Sequence, residues 1–300
     1  MAKFTLYSAS PALLLMCATF YVQPAIGVEN AVSSPDFSGI WARNTFSHER
    51  LPDGPGPVTT LRPPLPNGVF DNFAMVGDYN NPILKPEAAA ILKKRGEMSL
   101  SGVNFPDPSN QCAPISPPYI FANEVGLQML QEQDQVTILY SPYDQVRRVR
   151  LNGSHPEHVT PSAMGDSVGH YEGDTLVIDT VGIKVWPFTV IDFFGTPQSE
   201  ALHLIERYRL IDAAEAKVAV ERHYKAYGRL PGNGGIDPAY SKGLQLEFTV
   251  EDPVFFTMPW RAQITYQRSM RQWEERVCET TFEYYDGKQP LRPVAGKSDF

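Results

Sequence analysis

From Gly126 onward, apolar and polar residues alternate with a period of two, the pattern of strands that turn one face inward. Val136–Tyr140 and Val146–Leu151 read as strands joined by a turn at Ser141–Asp144. Val168–Glu172 and Thr175–Val181 read as a hairpin around Glu172-Gly173. Ala201–Leu210 and Lys217–Tyr224 follow as two more strands, separated by a short turn centred on Asp212. Two clean alternations come next. Leu244, Leu246, Phe248 and Val250 oppose Gln245, Glu247 and Thr249, while Trp260, Ala262, Ile264 and Tyr266 oppose Arg261, Gln263, Thr265 and Gln267. Val277–Glu283 reads as the last strand. Roughly eight to ten antiparallel strands at this spacing predict a mainly β fold, either a barrel or a strongly curled sandwich.

Upstream the period is lost. Residues 50–82 are rich in Pro and Gly and predict an irregular arm, held to the domain by Phe70, Phe73 and Tyr79. Pro86–Arg95 is the one short helix, with Pro at its start, basic residues at its negative end and Gly96 as its stop. Residues 101–119 return to Pro-rich loop. The expected organisation is therefore a Pro/Gly-rich arm at 28–125, carrying the first strand and the short helix, packed on a barrel core at 126–300 as one domain.

Residues 1–27 read as a secretory signal: Lys3, an apolar run from Pro11 to Val22, and small Ala25 and Gly27 at the cleavage positions. That run is shorter than the ~20 apolar residues of a membrane span. Leu14-Leu15-Met16-Cys17 is only a faint lipoprotein box, because Met16 is too large before the cysteine. These features predict a periplasmic or secreted protein with no membrane anchor. The net charge of −8 offers no basic stripe for a nucleic-acid partner. Arg147, Arg148 and Arg150 come nearest, and they lie in a strand. Removal of Cys17 would leave Cys112 and Cys278, an even count whose default reading in an oxidising compartment is a disulfide, with two separate thiols as the alternative.

The stretch 151–209 concentrates the chemistry. It holds His155, His158, His170 and His203 among Asp166, Glu172, Asp174, Glu200, Glu206 and Arg207. Burying such groups is unfavourable unless each is paired, so their density marks a site. An acid/base set without any cofactor is available from His170 with Asp166, and from His203 with Glu206 or Arg207. The alternative for His203 and Arg207 is a structural network, and for Glu172 and Asp174 a turn. His155 and His158 are candidate substrate contacts. With His170 or Asp166 they could also hold zinc or copper, though plain loop histidines are the favoured reading and no metal is expected. Tyr171, Trp186, Phe194 and Trp260 are candidate substrate-binding aromatics, and Trp186-Pro187-Phe188 and Phe193-Phe194-Gly195 candidate lid loops; core packing is the alternative. His203, Arg207 and Arg209 share one face of their strand while Glu206 and Tyr208 share the other, as Val168, His170 and Glu172 do in the hairpin. Periodicity does not choose which face is inside. No nucleophile-elbow serine, phosphate loop or dinucleotide fingerprint is present.

Gly39-Ile40-Trp41 resembles the entry strand of lipocalin-type (calycin) barrels, which implies a single antiparallel, lipocalin-like barrel. Gly165–Thr180 (GDSVGHYEGDTLVIDT), Pro197–Arg209 (PQSEALHLIERYR) and Asp252–Trp260 resemble an exported bacterial family with patterns of the type GHSIGxWEGDTLVVDT, HSExLHxxERxR and DPxxYTKPW. The chain departs from it at Asp166 and Gln198, where that family has His, and at Tyr171, where it has Trp. Some similar proteins are lyases on lignin-derived aromatic compounds. The resemblance thus implies a cofactor-independent lyase for a small aromatic or apolar substrate. The alternatives are a non-catalytic lipocalin-like binding protein and a metal-dependent hydrolase. No oligomeric state is legible.

Overall fold

The period-two stretches form the wall of a closed barrel. The computed structural model describes Met1 and residues 34–71, 74–123, 126–232 and 235–271. Its strands are β1 (Gly39–Ala42), β2 (Glu49–Arg50), β3 (Leu127–Gln131), β4 (Gln135–Tyr140), β5 (Gln145–Leu151), β6 (Asp166–Glu172), β7 (Thr175–Val181), β8 (His203–Asp212), β9 (Lys242–Glu251) and β10 (Trp260–Arg268). β1 and β3 to β10 follow one another around the wall, and Trp41 of β1 pairs with Arg268 of β10 to close a nine-stranded ring. β2 adds to the edge of β10, with Glu49 opposite Gln263.

One pairing departs from the antiparallel expectation. β5 and β6 run parallel, with Val149 opposite Ser167, so the barrel is mixed. Parallel neighbours cannot be joined by a tight hairpin and need a crossover. Residues 152–165 supply it as a loop without helix, which carries His155 and His158 with it.

Among the described residues there are two α-helices where one was expected. α1 (Pro86–Leu100) runs through Gly96 instead of stopping there. A Cβ at Gly96 would come within 3.0 Å of the Val76 side chain, so the glycine serves close packing against the arm. α2 (Ala213–Tyr227) occupies the stretch expected as the 217–224 strand. Val218 and Val220 alternate, but the buried set is Ala216, Ala219 and His223, a helical spacing. Gly243 admits the helix, since a Cβ there would lie 2.5 Å from that of Ala216.

Apolar side chains pack the interior. Leu176, Ile178, Leu204, Leu244, Leu246, Val250 and Trp260 point inward and are buried. The short 3-10 helix Tyr119–Ala122 adds four buried residues. Phe121 meets Phe248 edge-on at 5.5 Å, and its carbonyl accepts the Tyr266 hydroxyl at 2.6 Å. Phe73, Cys278 and the expected 277–283 strand lie outside the described residues, as does the expected signal beyond Met1.

His48 belongs to this interior, 2% exposed and edge-on to Phe248 at 5.1 Å. Burial, reinforced by the charge of Arg43, pushes its imidazole down to about 3. In the unfolded chain the ring takes up its proton near the ordinary value of about 6.5. Between these limits the unfolded state holds the extra proton. Stability is therefore complete above about pH 6.5 and falls as the pH drops toward about 3, by up to about 1.4 kcal/mol per pH unit. Burial lowers His223 as well, adding loss of the same sign. A His48→Phe variant is expected to lose less stability than the wild type between pH 7 and pH 4 in urea titrations. Equal losses in both proteins would place the acid sensitivity elsewhere.

Candidate functional site

Alternation along β8 settles which face is inside. Glu206 and Tyr208 point into the barrel and are fully buried, while His203, Arg207 and Arg209 point out. On β6 the outward set is Asp166, Val168, His170 and Glu172. The residues proposed as one acid/base site therefore separate into three places.

The first is interior. Glu206 receives both terminal nitrogens of Arg147, at 2.9 and 2.5 Å, and the Tyr208 hydroxyl at 3.1 Å. Arg147 also donates to Ser167 at 3.0 Å and Thr180 at 2.5 Å. Burial alone would lower the guanidinium's pKa; the adjacent Glu206 charge overcomes this and holds it above the ordinary value. Glu206 is thus the partner of Arg147 and not of His203. This buried pair is a structural element of the barrel.

The second is exposed. His170 Nε2 lies 3.0 Å from Glu172 Oε1, and Arg207 donates to Glu172 Oε2 at 2.6 Å. Arg207, and then His170, hold the Glu172 carboxyl below its usual range. His170 contacts neither Asp166 nor His203 and is about half exposed. Asp166 faces His155, and His203 faces Asp179, so neither expected pair, His170 with Asp166 or His203 with Glu206 or Arg207, is formed.

The third place gathers residues from five strands, β5 to β9, and the crossover loop. His203 Nε2 lies 2.9 Å from Asp179 Oδ1, and His155 Nε2 lies 3.2 Å from the same oxygen. His155 Nδ1 is 2.6 Å from Asp166 Oδ1, and His203 Nδ1 is 3.4 Å from Glu251 Oε2. Arg150 clamps Asp166 through both terminal nitrogens, at 2.8 and 2.9 Å. That clamp, assisted by His155, lowers the Asp166 carboxyl below its ordinary value. The result is a row on the outer face: Arg150, Asp166, His155, Asp179, His203, Glu251. All are partly exposed.

Each imidazole in this row has a carboxylate oxygen against both ring nitrogens. A neutral ring carries one N–H and one lone pair, so it can donate to only one of the two; a protonated ring donates to both. Moving a proton along the row therefore changes which hydrogen bonds are made without moving heavy atoms. Among the described residues no group of three His, Cys, Asp or Glu side chains is arranged to hold a metal ion.

Three members of the row, Asp179, Glu251 and Arg150, were not among the site residues read from sequence. Asp179 is the single charged residue of the 175–181 strand and shares its outward face with Val177 and Val181, a signal that was available. The aromatic candidates divide. Trp260 and Phe194 are core, 1% and 2% exposed, and do not line an open surface. Phe193-Phe194-Gly195 is tucked in, because buried Asp192 accepts the backbone N–H groups of Phe194 and Thr196. Trp186 is half-buried with the Lys184 ammonium 4.0 Å over its ring. The Tyr171 hydroxyl accepts Gln131 Nε2 at 2.8 Å beside an open recess that does not include the histidines. His158 is exposed on the crossover loop.

Compared with family models, curated proteins and solved structures, the chain matches none.

Proposed function

We propose that this chain is an exported, cofactor-independent lyase for a small aromatic substrate, with proton transfer between His203, Asp179 and His155. The observation that carries the acid/base reading is the shared Asp179 oxygen facing two imidazoles, each backed by a second carboxylate. The lyase class and the aromatic substrate come from the motif resemblance at Gly165–Thr180 and Pro197–Arg209. The lipocalin-like assignment comes from Gly39-Ile40-Trp41, supported by the buried Trp41 and the closed wall. In an elimination, one imidazole takes a C–H proton and the other gives a proton to the departing oxygen. The C–H electron pair becomes the new C=C bond, so neither oxidant nor reductant is consumed. The test is incubation with lignin-type aryl alkyl ethers in deuterated buffer containing a chelator and no added cofactor. Alkene and phenol in equal amounts are expected; a panel returned unchanged would reject the lyase reading.

Export and disulfide formation belong to the same proposal. Cys112, half-buried in the Pro-rich loop, is expected to be joined to Cys278 in the periplasmic protein. Intact mass and non-reducing peptide mapping decide this: a cross-linked peptide supports the bond, and two alkylatable thiols refute it.

A further inference from the structure

At the Trp41 end of the barrel lies a recess of about 310 Å³, lined by Asp36, Trp41, Leu210, Tyr240, Lys242 and Arg268 among others. Its volume is at the small end of the range for small-molecule sites, about 300–1,000 Å³. Leu210 and Lys242 lie at the ends of β8 and β9 opposite those carrying His203 and Glu251, so this recess is separate from the histidine row.

The seat of Arg268 is built into the backbone. Its guanidinium stands 5.2 Å from the centre of the Trp41 ring and donates to the Ser38 carbonyl at 2.6 Å. Gly39 has φ +122°, and a Cβ there would fall 1.9 Å from Arg268 Nη1, so only glycine leaves the guanidinium its place. Among the described residues no carboxylate forms an ion pair with Arg268. Lys242 is already paired with Asp212 at 2.5 Å. The two acids on the lining are turned toward their own turns: Asp36 accepts the Ser38 N–H at 2.9 Å, and Asp237 that of Ala239 at 2.8 Å.

We propose that this recess binds a small aromatic monocarboxylate. The guanidinium fork, whose charge reaches Asp36 but which forms no ion pair among the described residues, suits a carboxylate, which it can hold through two parallel hydrogen bonds. Leu210 and the Tyr240 ring supply an apolar wall for one aromatic ring. Asp36 and Asp237 also line the recess, and their charge disfavours a second negative charge on the ligand, which selects a monoanion. The inference does not depend on the lyase reading.

The test is isothermal titration of the full mature chain with benzoate and its neutral isostere benzamide. Saturable one-to-one binding of benzoate is expected, with benzamide at least tenfold weaker. Arg268→Gln should weaken benzoate at least tenfold. Because Arg268 also braces Trp41, Ala239→Trp provides a second arm: this residue is exposed on the lining, and its enlargement is expected to fill the recess with little change in melting temperature. Asp179→Asn should leave benzoate binding intact. The proposal is overturned by no saturable benzoate binding, by equal affinity for benzamide, or by benzoate binding that survives Ala239→Trp.

Discussion

Replacing Glu206 with alanine is expected to destabilise the barrel by about 3–5 kcal/mol, the usual consequence of removing one partner of a buried ion pair. The pair is 0% and 1% exposed, so no solvent reaches Arg147 to compensate it. Its guanidinium would keep bonds to Ser167 and Thr180 but lose its only counter-charge within reach among the described residues. Against a typical domain stability of about 5–15 kcal/mol, such a loss unfolds a sizeable fraction of molecules. The double variant Arg147→Met, Glu206→Leu should be much milder, because it removes both charges and fills the same space with apolar atoms. Urea unfolding of the two variants separates these expectations. A Glu206→Ala protein within about 1 kcal/mol of the wild type would mean that water enters the interior beside Arg147.

The same residue shows where the sequence was legible and where it was not. The alternations at 244–250 and 260–266 name the inward faces of β9 and β10 without ambiguity, because every residue on one face is apolar. On β8 both faces carry charge, and the inward one holds a carboxylate because an arginine three strands away in the ring neutralises it. No local pattern reports a partner at that distance. Arg147, Arg148 and Arg150 read only as the nearest approach to a basic stripe, lying in a strand; alternation sends Arg147 inward beside Val149 and leaves Arg148 and Arg150 outside. The α2 segment was misread for a different reason: a few β-branched residues gave a period of two, while its helical face is made of small alanines that hydropathy hardly marks. The parallel β5–β6 pairing had no sequence signal beyond the length of the 152–165 loop. That loop nonetheless decides the site, because it brings His155 beside a strand carboxylate.

Asp179→Asn is expected to reduce turnover on an accepted aryl ether by ~10²–10⁴-fold, the worth of a positioned acid/base group. The amide keeps the shape of the carboxylate but offers one oxygen and one donor, so it cannot accept from both His155 and His203 and cannot carry the proton between them. His203→Ala and His155→Ala should fall in the same range, and combining either with Asp179→Asn should add little, since the three act as a unit. The fold should tolerate these changes: Asp179 is 39% and His203 33% exposed, on the outer wall. Surface substitutions away from special features shift stability by roughly 0.5 kcal/mol or less. Asp166→Asn tests the end of the row differently. It leaves Asp179 as the one carboxylate beside His155 among the described residues, so the rate should fall without loss of folded protein. His170→Ala is the discriminating control, because His170 pairs with Glu172 and Arg207 in the separate cluster and should retain wild-type turnover. If His170→Ala abolishes turnover while folded Asp179→Asn keeps it, proton transfer is not carried by the Asp179 row.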